Sequence, residues 1–421
     1  MSKQRTKRRL PQGLAVLRAR EFRLLFAGQA ISVLGDRMVA VALAFAVLEI
    51  GGSTTEVGLV LAAGTLPLVA TVLAGGVVAD RASRRAVMVT ADVVRVASQA
   101  ATAALLIAGT AQVWELALLA GVTGAATGFF GPASTGLLPE LVLAEHLQPA
   151  NALRGSAAAT GEILGPALGG VLVAAAGAGW AIAADAGTFA ASAACLLALR
   201  PPSRAAARGA SFLADLRAGW AAFRARRWVW TFVAYFGVAN LLWGAWGTLG
   251  PIVAEDDLGG AAAWGTVLAA MGVGALAGSL AATRVRPRRP LLFAAVADGL
   301  FFVPLAFLAA IPPVAVLAFG ALLAGAGMAL AISVWESTLQ RQIPDESLSR
   351  VSSYDWFGSL VFYPLGLAIW GPIAAGIGIS ASLWLAFGIA VATTLALIGV
   401  PDIRGMLLAR PQGRPGEERV G

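Results

Sequence analysis

A few ionisable side chains lie inside long apolar stretches of this sequence, where an unpaired charge is costly. Asp36 and Arg37 are adjacent in the first such stretch, and Glu162 lies in the fifth. Gln29, Ser32 and Asp36 recur at a spacing that places them on one face of a helix. In an apolar medium, a carboxyl group close to an arginine changes its affinity for a proton when its surroundings move slightly. Asp36, Arg37 and Glu162 are therefore predicted to take part in proton binding and release, with Asp36 as the first candidate.

Other charged residues in apolar stretches have a structural interpretation. Asp92 and Arg95 are three residues apart and can pair across one helical turn, which indicates a structural ion pair. Asp185 lies in a short polar stretch and is also interpreted as structural. For Asp298 and Glu336, the pattern leaves helix packing and function equally open.

The composition predicts a membrane protein with many spans. The chain has 421 residues, of which 58% are hydrophobic and 13% charged, and its net charge is +8. A soluble protein could not cover so much apolar surface with so few charges. With one cysteine and one histidine, the chain lacks the side chains for an internal disulfide or a His-Glu-x-x-His metal centre. No cofactor and no metal is expected, and a membrane-embedded enzyme is disfavoured for the same reason.

Twelve apolar spans are predicted, at a length of about 20 residues each. They cover 22–48, 56–79, 86–108, 113–133, 152–176, 180–199, 229–253, 263–283, 291–310, 314–338, 356–376 and 381–400. Lysine and arginine concentrate in alternate loops, whereas loops 49–56, 110–112, 254–262 and 377–380 contain none. The basic loops are expected to be cytoplasmic, together with both termini. This distribution also argues against nucleic acid as a partner.

A basic segment divides the chain into two predicted six-helix halves. The first half comprises 1–199, the central cytoplasmic segment 200–228, the second half 229–403, and a cytoplasmic tail 404–421. Within the central segment, Phe212, Leu216, Trp220 and Phe223 recur at helical spacing between arginines, which predicts an amphipathic helix at the membrane surface. The halves resemble diverged copies at a fixed offset, since Gly165 and Gly170 align with Gly366 and Gly371.

A charged turn between the second and third spans carries a recognisable motif. Its sequence from Gly76 to Arg85 reads G-x-x-x-D-R-x-x-R-R, which resembles the signature loop of the major facilitator superfamily at the position where that family carries it. The resemblance implies a gate that joins the two halves at the cytoplasmic side. Asp80 would contact the start of the eleventh helix near Tyr354 to Trp356, and Arg84 would meet Glu140. The gate residues are Gly76, Asp80, Arg81, Arg84, Arg85 and Glu140.

The fifth span carries a second motif. Residues 161–170 read G-x-x-x-G-P-x-x-G-G, which resembles the antiporter motif of drug-exporting members of that superfamily and favours export over uptake. Its residues are Gly161, Gly165, Pro166, Gly169 and Gly170. With the stretches 28–36, 138–142 and 148–153, the motif resembles the twelve-helix drug:proton antiporter branch, which includes macrolide and enterobactin exporters. In the second half, the loop around 284–289 resembles a degraded copy of the charged turn that lacks the aspartate.

The resemblance implies an all-α fold of twelve transmembrane helices in two pseudo-symmetric halves. It also implies a proton-coupled secondary transporter that exports small amphipathic organic compounds by alternating access. Gln29, Ser32, Asn240 and Trp243 are candidates to line the substrate cavity. A narrow exporter of an endogenous metabolite or siderophore on the same fold remains an alternative. The expected partners are a small-molecule substrate, protons and the lipid bilayer of a bacterial inner membrane, and the protein is expected to be monomeric.

Overall fold

The computed structural model describes residues 16–143, 146–200, 220–221, 223–343, 351, 354–355 and 357–407, without the side chains of 73, 77, 80 and 148. This part of the chain is helical and contains no strand, and twelve of its helices are long and apolar enough to cross a membrane. The helices are α1 Arg20–Glu49, α2 Thr54–Arg81, α3 Arg84–Ile107, α4 Val113–Leu141, α5 Leu147–Ala176, α6 Ala178–Ala198, α7 Arg227–Val253, α8 Ala261–Ala282, α9 Pro290–Ala310, α10 Val314–Gln342, α11 Phe362–Ile377 and α12 Ile379–Gly399, followed by the short α13 Pro401–Gly405. The predicted all-α fold and its twelve spans are confirmed.

Two predicted span ends differ from the structure by more than four residues; the eleventh span runs Phe357–Ile377, with a turn at 361 just before α11. The sequence predicts that span four ends at 133, but α4 continues to Leu141 through Pro132 and Pro139. A proline removes one hydrogen bond from a helix, yet neighbouring helices in a membrane bundle can hold the chain in place. Span five is predicted from 152, whereas α5 begins at Leu147.

Part of the second set of helices repeats the first set at a constant offset. The bounds of α10 and α12 each lie 201 residues after those of α4 and α6. The glycines that join α5 to α6 and α11 to α12 obey the same offset. They are Gly177, with φ of +90°, and Gly378, with φ of +88°. A backbone with positive φ favours glycine, so both connections turn in the same way.

Small residues allow α2 and α4 to pack closely. A Cβ atom placed on Gly75 would lie 2.6 Å from the carbonyl oxygen of Gly128, and one placed on Gly124 would overlap the carbonyl oxygen of Gly64. The adjacent Gly76 does not take part in this contact, because a Cβ there meets no atom within 4 Å among the described residues. At these contacts, glycine lets the backbones of two helices pack directly against each other, where a side chain would hold them apart.

Gly124→Ala is expected to destabilise the protein by about 1–3 kcal/mol, because the added methyl group forces α2 away from α4. Gly131→Ala is the matched control on the same helix, since its Cβ would meet no described atom within 4 Å. Thermal unfolding of both purified variants in detergent would measure the difference. Equal midpoints for the two variants would show that α2 and α4 do not require this close approach.

Among the described residues, two seams of glycine contacts join the first six helices to the last six. Gly371 of α11 packs against Thr54 at the start of α2, where a Cβ would lie 2.6 Å from the Thr54 carbonyl oxygen. Gly265 of α8 packs against Pro166 and Gly170 of α5. Both seams lie towards the end of the bundle at which α2 and α8 begin. This end is opposite to the basic end, which carries Arg81, Arg84 and Arg85 in the α2–α3 turn.

Candidate functional site

The interior of the first six helices contains a buried ion pair. Asp92 and Arg95 of α3 form the predicted salt bridge, and their side chains are 0% and 2% exposed. The guanidinium of Arg95 lies between the rings of Phe130 and Phe189, at 4.3 Å and 4.2 Å from their centroids. Aromatic faces attract a cation, and more strongly when water is excluded. The arginine is therefore fixed from both sides as well as by its carboxylate.

Sequence reasoning missed the two phenylalanines. Phe130 belongs to α4 and Phe189 to α6, so no spacing within α3 could reveal that they enclose Arg95. A single arginine in an apolar span was the only available signal, because such a charge requires partners on neighbouring helices.

A second buried carboxyl group lies beside this ion pair. Asp185 of α6 accepts hydrogen bonds from Gln99 at 2.8 Å and from Thr188 at 3.1 Å. A Cβ on Gly35 would overlap the Asp185 carboxylate, so α1 passes directly over it. The structural role predicted for Asp185 agrees with these contacts, which also place it close to the residue that follows Gly35.

That residue, Asp36, differs from the other acids of this region. No hydrogen bond or ion pair engages its side chain within the described part of the chain, and it is only half-buried. The charged groups that act on it are Arg95, Arg37 and Asp92, and Asp36 in turn acts on Asp185. Three carboxyl groups thus share the single guanidinium of Arg95. Since carboxylates that share a site cannot all ionise at low cost, this cluster can hold a proton.

Arg37 faces α5 and does not pair with its neighbour Asp36. Its guanidinium lies 2.7 Å from Glu162, and the two side chains are 47% and 45% exposed. Gly165 makes this contact possible, since a Cβ there would overlap the Cβ of Arg37. Adjacent residues on a helix point in directions about 100° apart, which explains why Arg37 and Asp36 contact different helices. The structure therefore places all three proton-coupling candidates near one another on α1 and α5.

The antiporter-motif glycines form two contact surfaces. Gly161, Gly165 and Gly169 face α1, where a Cβ on Gly169 would lie 2.7 Å from the carbonyl oxygen of Met38. Gly170 faces α8 and packs against Ala261 and Gly265. The motif thus holds α5 between a helix of the first set and a helix of the second.

Gly170→Ala is expected to loosen the seam between α5 and α8, because the new methyl group would overlap the Ala261 carbonyl. Spin labels at Thr110 and Asp256, introduced with Cys195→Ser, would then report a longer distance across this end of the bundle. Gly155→Ala on the same helix is the control, since its Cβ meets no described atom within 4 Å. Identical distance distributions in both variants would contradict a sealing role for Gly170.

The other candidates on α1 have different surroundings. Gln29 donates a hydrogen bond to Ser134 of α4, which also accepts one from Arg154 of α5 at 2.9 Å. Ser32 is 3% exposed, and its neighbours Gly28 and Gly35 pack on α6. Gln29 is thus within a polar network, while the structure does not bring Ser32 to an open surface. Their contact with a substrate stays a prediction.

The charged turn at the basic end makes the predicted contact with α4. Arg84 donates to the Glu140 carboxylate at 2.8 Å and to the Gly136 carbonyl oxygen at 2.7 Å. Arg85 donates to the carbonyl oxygens of 196 and 197 at the end of α6, and Arg81 is exposed. These bonds join the start of α3 to the ends of α4 and α6. The side chain of Asp80 and residue 356 lie outside the described part, so their predicted contact is untested.

The candidates on α7 lie beside an aromatic stack. The ring of Trp243 lies 3.8 Å from Phe301 and 5.2 Å from Trp246, measured between centroids. Trp246 is 3% exposed, so it belongs to the core and not to a membrane interface. Asn240 donates to a carbonyl oxygen of its own helix at 3.0 Å. Trp243 and Asn240 are each partly exposed, and substrate contact stays a prediction for both.

A separate buried carboxyl group lies among the last six helices. Asp298 of α9 accepts a hydrogen bond from Tyr235 at 2.8 Å, and the Tyr235 hydroxyl lies 3.2 Å from that of Thr394. These bonds join α7, α9 and α12, and they favour the packing interpretation of Asp298. Glu336 of α10 is exposed.

The connection that precedes α11 carries an acid with a shifted pKa. Burial raises the pKa of Asp355 to about 6. The hydrogen bond from Trp335, at 2.9 Å, opposes this rise, and the charge of Glu336 adds to it.

Of the predicted amphipathic segment, Phe212 and Leu216 lie outside the described residues. Its last aromatics, Trp220 and Phe223, pack against Tyr354 with centroid distances of 5.5 Å and 5.7 Å.

The raised pKa of Asp355 predicts a pH dependence of stability. The folded protein binds this proton more tightly than the unfolded chain, whose pKa is near 3.8. The contribution of Asp355 is therefore complete below about pH 4 and is lost as the pH rises through about 6. Asp355→Asn should flatten the profile of unfolding temperature between about pH 4 and 7. An unchanged profile in the variant would contradict this assignment.

Comparison with known proteins agrees with this architecture. A family model described as transmembrane secretion effector, of the major facilitator type, matches residues 12–405. The chain belongs to the major facilitator superfamily. The Multidrug efflux pump Tap of Mycolicibacterium fortuitum is 27% identical to this transporter over 398 residues, which are 89% of this chain and 94% of that pump. An uncharacterized MFS-type transporter of Bacillus subtilis, YfiS, is 30% identical over 152 residues, and the match spans about a third of each protein, 36% and 35%.

Solved structures share the fold at low sequence identity. The nucleoside transporter NupG superposes with a TM-score of 0.71 at 12% identity, over 91% of this transporter and 99% of that chain. The D-xylose-proton symporter superposes with a TM-score of 0.63 at 16% identity, over 93% and 99%. The matched family and these relatives are transporters and not enzymes. This transporter is accordingly a multi-pass membrane protein with a small-molecule substrate.

Proposed function

We propose that this transporter exports small amphipathic organic compounds in exchange for protons. Asp36 carries the proposal, because it is a half-buried carboxyl group without a hydrogen bond or ion pair in the described part of the chain. It lies beside a buried cation and two further acids. Such a group can gain and lose a proton as the water around it changes. The likeness to a multidrug efflux pump over most of both chains supports export of organic compounds.

Alternating access follows from movement of the two six-helix halves, 1–199 and 229–403, about the site between them. The central segment 200–228 would connect the halves, and the tail 404–421 would follow the second. Both glycine seams lie towards the end opposite the basic end, so this conformation is closed there. Because basic loops face the cytoplasm, we assign it as inward-facing. Asp36 would release its proton to the cytoplasm in this state and rebind one from outside after the halves rock.

The charged turn would act as the gate in the opposite state. Arg84 is already held by Glu140 and by the Gly136 carbonyl, so the turn moves with α4. In the outward-facing state, Asp80 would meet the start of α11, where the helix dipole favours an anion. Gly76, Arg81 and Arg85 would complete this gate. Asp80→Asn should then impair transport while the protein is still inserted.

Substrate-driven proton movement is the decisive test of this function. Everted membrane vesicles that contain the transporter would be acidified inside by respiration, and ethidium or a macrolide would be added outside. Proton-coupled export predicts release of internal protons on addition of the compound, together with its uptake, and a protonophore should abolish both. Vesicles without the transporter are the control. Uptake that continues at the same rate with the protonophore would contradict proton coupling, and no uptake of any tested compound would contradict drug export.

A further inference from the structure

The repeat reveals a reversal of charge in the second six helices. At the offset of 201 residues, Arg341 of α10 takes the position of Glu140 of α4, and Ser337 takes that of Gly136. In the first set, Glu140 accepts a hydrogen bond from Arg84 of the α2–α3 turn, at 2.8 Å. In the second set, that acid is replaced by the base Arg341, and the counterpart of Arg84 is Val285, which lies between Arg284 and Arg286. The corresponding ion pair therefore cannot form.

A small cavity occupies the corresponding place. It measures about 60 Å³ and lies between the α8–α9 turn and the last turns of α10. Arg286 and Arg341 both line it, together with the hydroxyl residues Ser333, Ser337 and Thr338. The guanidinium of Arg286 donates to the carbonyl oxygen of the preceding residue at 3.1 Å. Among the described residues, no carboxylate forms an ion pair with either arginine.

Arg286 and Arg341 are both exposed at the edge of this cavity, and two like charges repel each other unless an anion lies between them. Three more arginines, Arg284, Arg288 and Arg289, are exposed in the same turn, and they strengthen the positive potential. Arginine binds phosphate through two parallel hydrogen bonds. The hydroxyl groups of Ser333, Ser337 and Thr338 donate to carbonyl oxygens of their own helix, so the two arginines supply the charge and the donors that a phosphate group requires.

The surroundings of the cavity favour a lipid as the source of that phosphate. The cavity lies where α8 and α10 end, at the basic end of the bundle. Leu280 and Ile332 in the adjacent helical turns are 59% and 41% exposed, so an apolar surface adjoins the arginines. Basic pockets at the ends of transmembrane helices bind anionic lipid headgroups in this way.

We propose that Arg286 and Arg341 bind the phosphate headgroup of an anionic phospholipid. This site is separate from the transport site, and it extends the function of the molecule beyond the export proposed above. The acyl chains of the bound phospholipid would lie along Leu280 and Ile332. The bound lipid supplies the negative charge that Glu140 supplies in the first six helices, and it fastens the α8–α9 turn to α10.

Charge reversal provides a direct test with the purified full-length protein in detergent. Phosphatidylglycerol should raise the unfolding temperature of the wild type more than phosphatidylcholine does at the same concentration. Arg341→Glu would let Arg286 pair within the chain, so it should weaken phosphatidylglycerol binding by about tenfold or more. Arg288→Glu changes the net charge equally but does not line the cavity, so it should bind nearly as the wild type does. Arg341→Gln, which only removes the charge, should be intermediate.

Two outcomes would overturn the proposal. If Arg341→Glu and Arg288→Glu lose the same affinity for phosphatidylglycerol, the effect is one of net charge and not of this cavity. If inorganic phosphate alone gives the full stabilisation, the cavity takes a soluble anion and the assignment to a lipid is wrong. Stabilisation by phosphatidylglycerol that only the cavity variants lose would support the proposal, whatever the transport assays show.

Discussion

Arg95→Leu is expected to cost about 3 kcal/mol of stability, the largest loss that we predict for one substitution in this transporter. The substitution removes the cation that pairs with Asp92 in the described part of the chain, and the Asp92 side chain is 0% exposed. It also removes the group enclosed by Phe130 and Phe189. The remaining carboxyl group must either stay charged in an apolar interior or take up a proton, and both alternatives are unfavourable. Thermal unfolding in detergent and the yield of folded protein would measure the loss.

Two comparisons distinguish the buried ion pair from a general effect of removing arginine. Arg37→Leu breaks an ion pair of the same type, but its side chains are nearly half exposed, so it should cost at most about 1 kcal/mol. The double variant Asp92→Asn/Arg95→Leu should be more stable than Arg95→Leu alone, because the neutral amide at position 92 requires no cation. If the double variant were the less stable of the two, Asp92 would not be the acid that depends on Arg95.

The spans could be predicted from the sequence because hydrophobic length is a local property. The prediction of helix ends failed where local rules compete with packing, as at Pro132 and Pro139, which do not end α4. The predicted span nine also contains a 3₁₀ turn at Leu300–Phe302, just before Pro304, which cannot donate the helical hydrogen bond to the carbonyl oxygen of Leu300. A proline therefore interrupts one of these helices and not the other, and the difference depends on the neighbouring helices.

The same distinction, between features set within one helix and features set by neighbouring helices, applies to the candidate site. The Asp92–Arg95 pair was predictable because both residues lie on one helix, and Arg84–Glu140 because a family motif implied it. The pairs Arg37–Glu162 and Gln99–Asp185 join different helices. Their formation depends on how each helix is rotated about its axis, and hydropathy does not determine that rotation. For this reason the sequence suggested that the Arg37 side chain lies beside the Asp36 carboxyl group, whereas in the structure it points towards α5.

Asp36→Asn is expected to reduce protonophore-sensitive efflux to the level of cells without the transporter. The amide keeps the size of the side chain but cannot bind and release a proton. Because no described group forms a hydrogen bond or ion pair with Asp36, the variant should insert and unfold like the wild type. Its loss of transport would then be a loss of coupling and not of folding. Asp36→Glu, which restores a titratable group, should recover part of the efflux.

The matched control for this prediction is Asp298→Asn, in the buried carboxyl group of the other six helices. Its oxygen can still accept the hydrogen bond from Tyr235 after the substitution, so we expect efflux to continue. Ethidium efflux from energised cells, with membrane levels measured for each variant, would compare the two substitutions directly. If Asp298→Asn abolished efflux and Asp36→Asn did not, proton coupling would belong to the last six helices. The unpaired state of Asp36 would then be a feature of packing around Gly35, where α1 crosses Asp185.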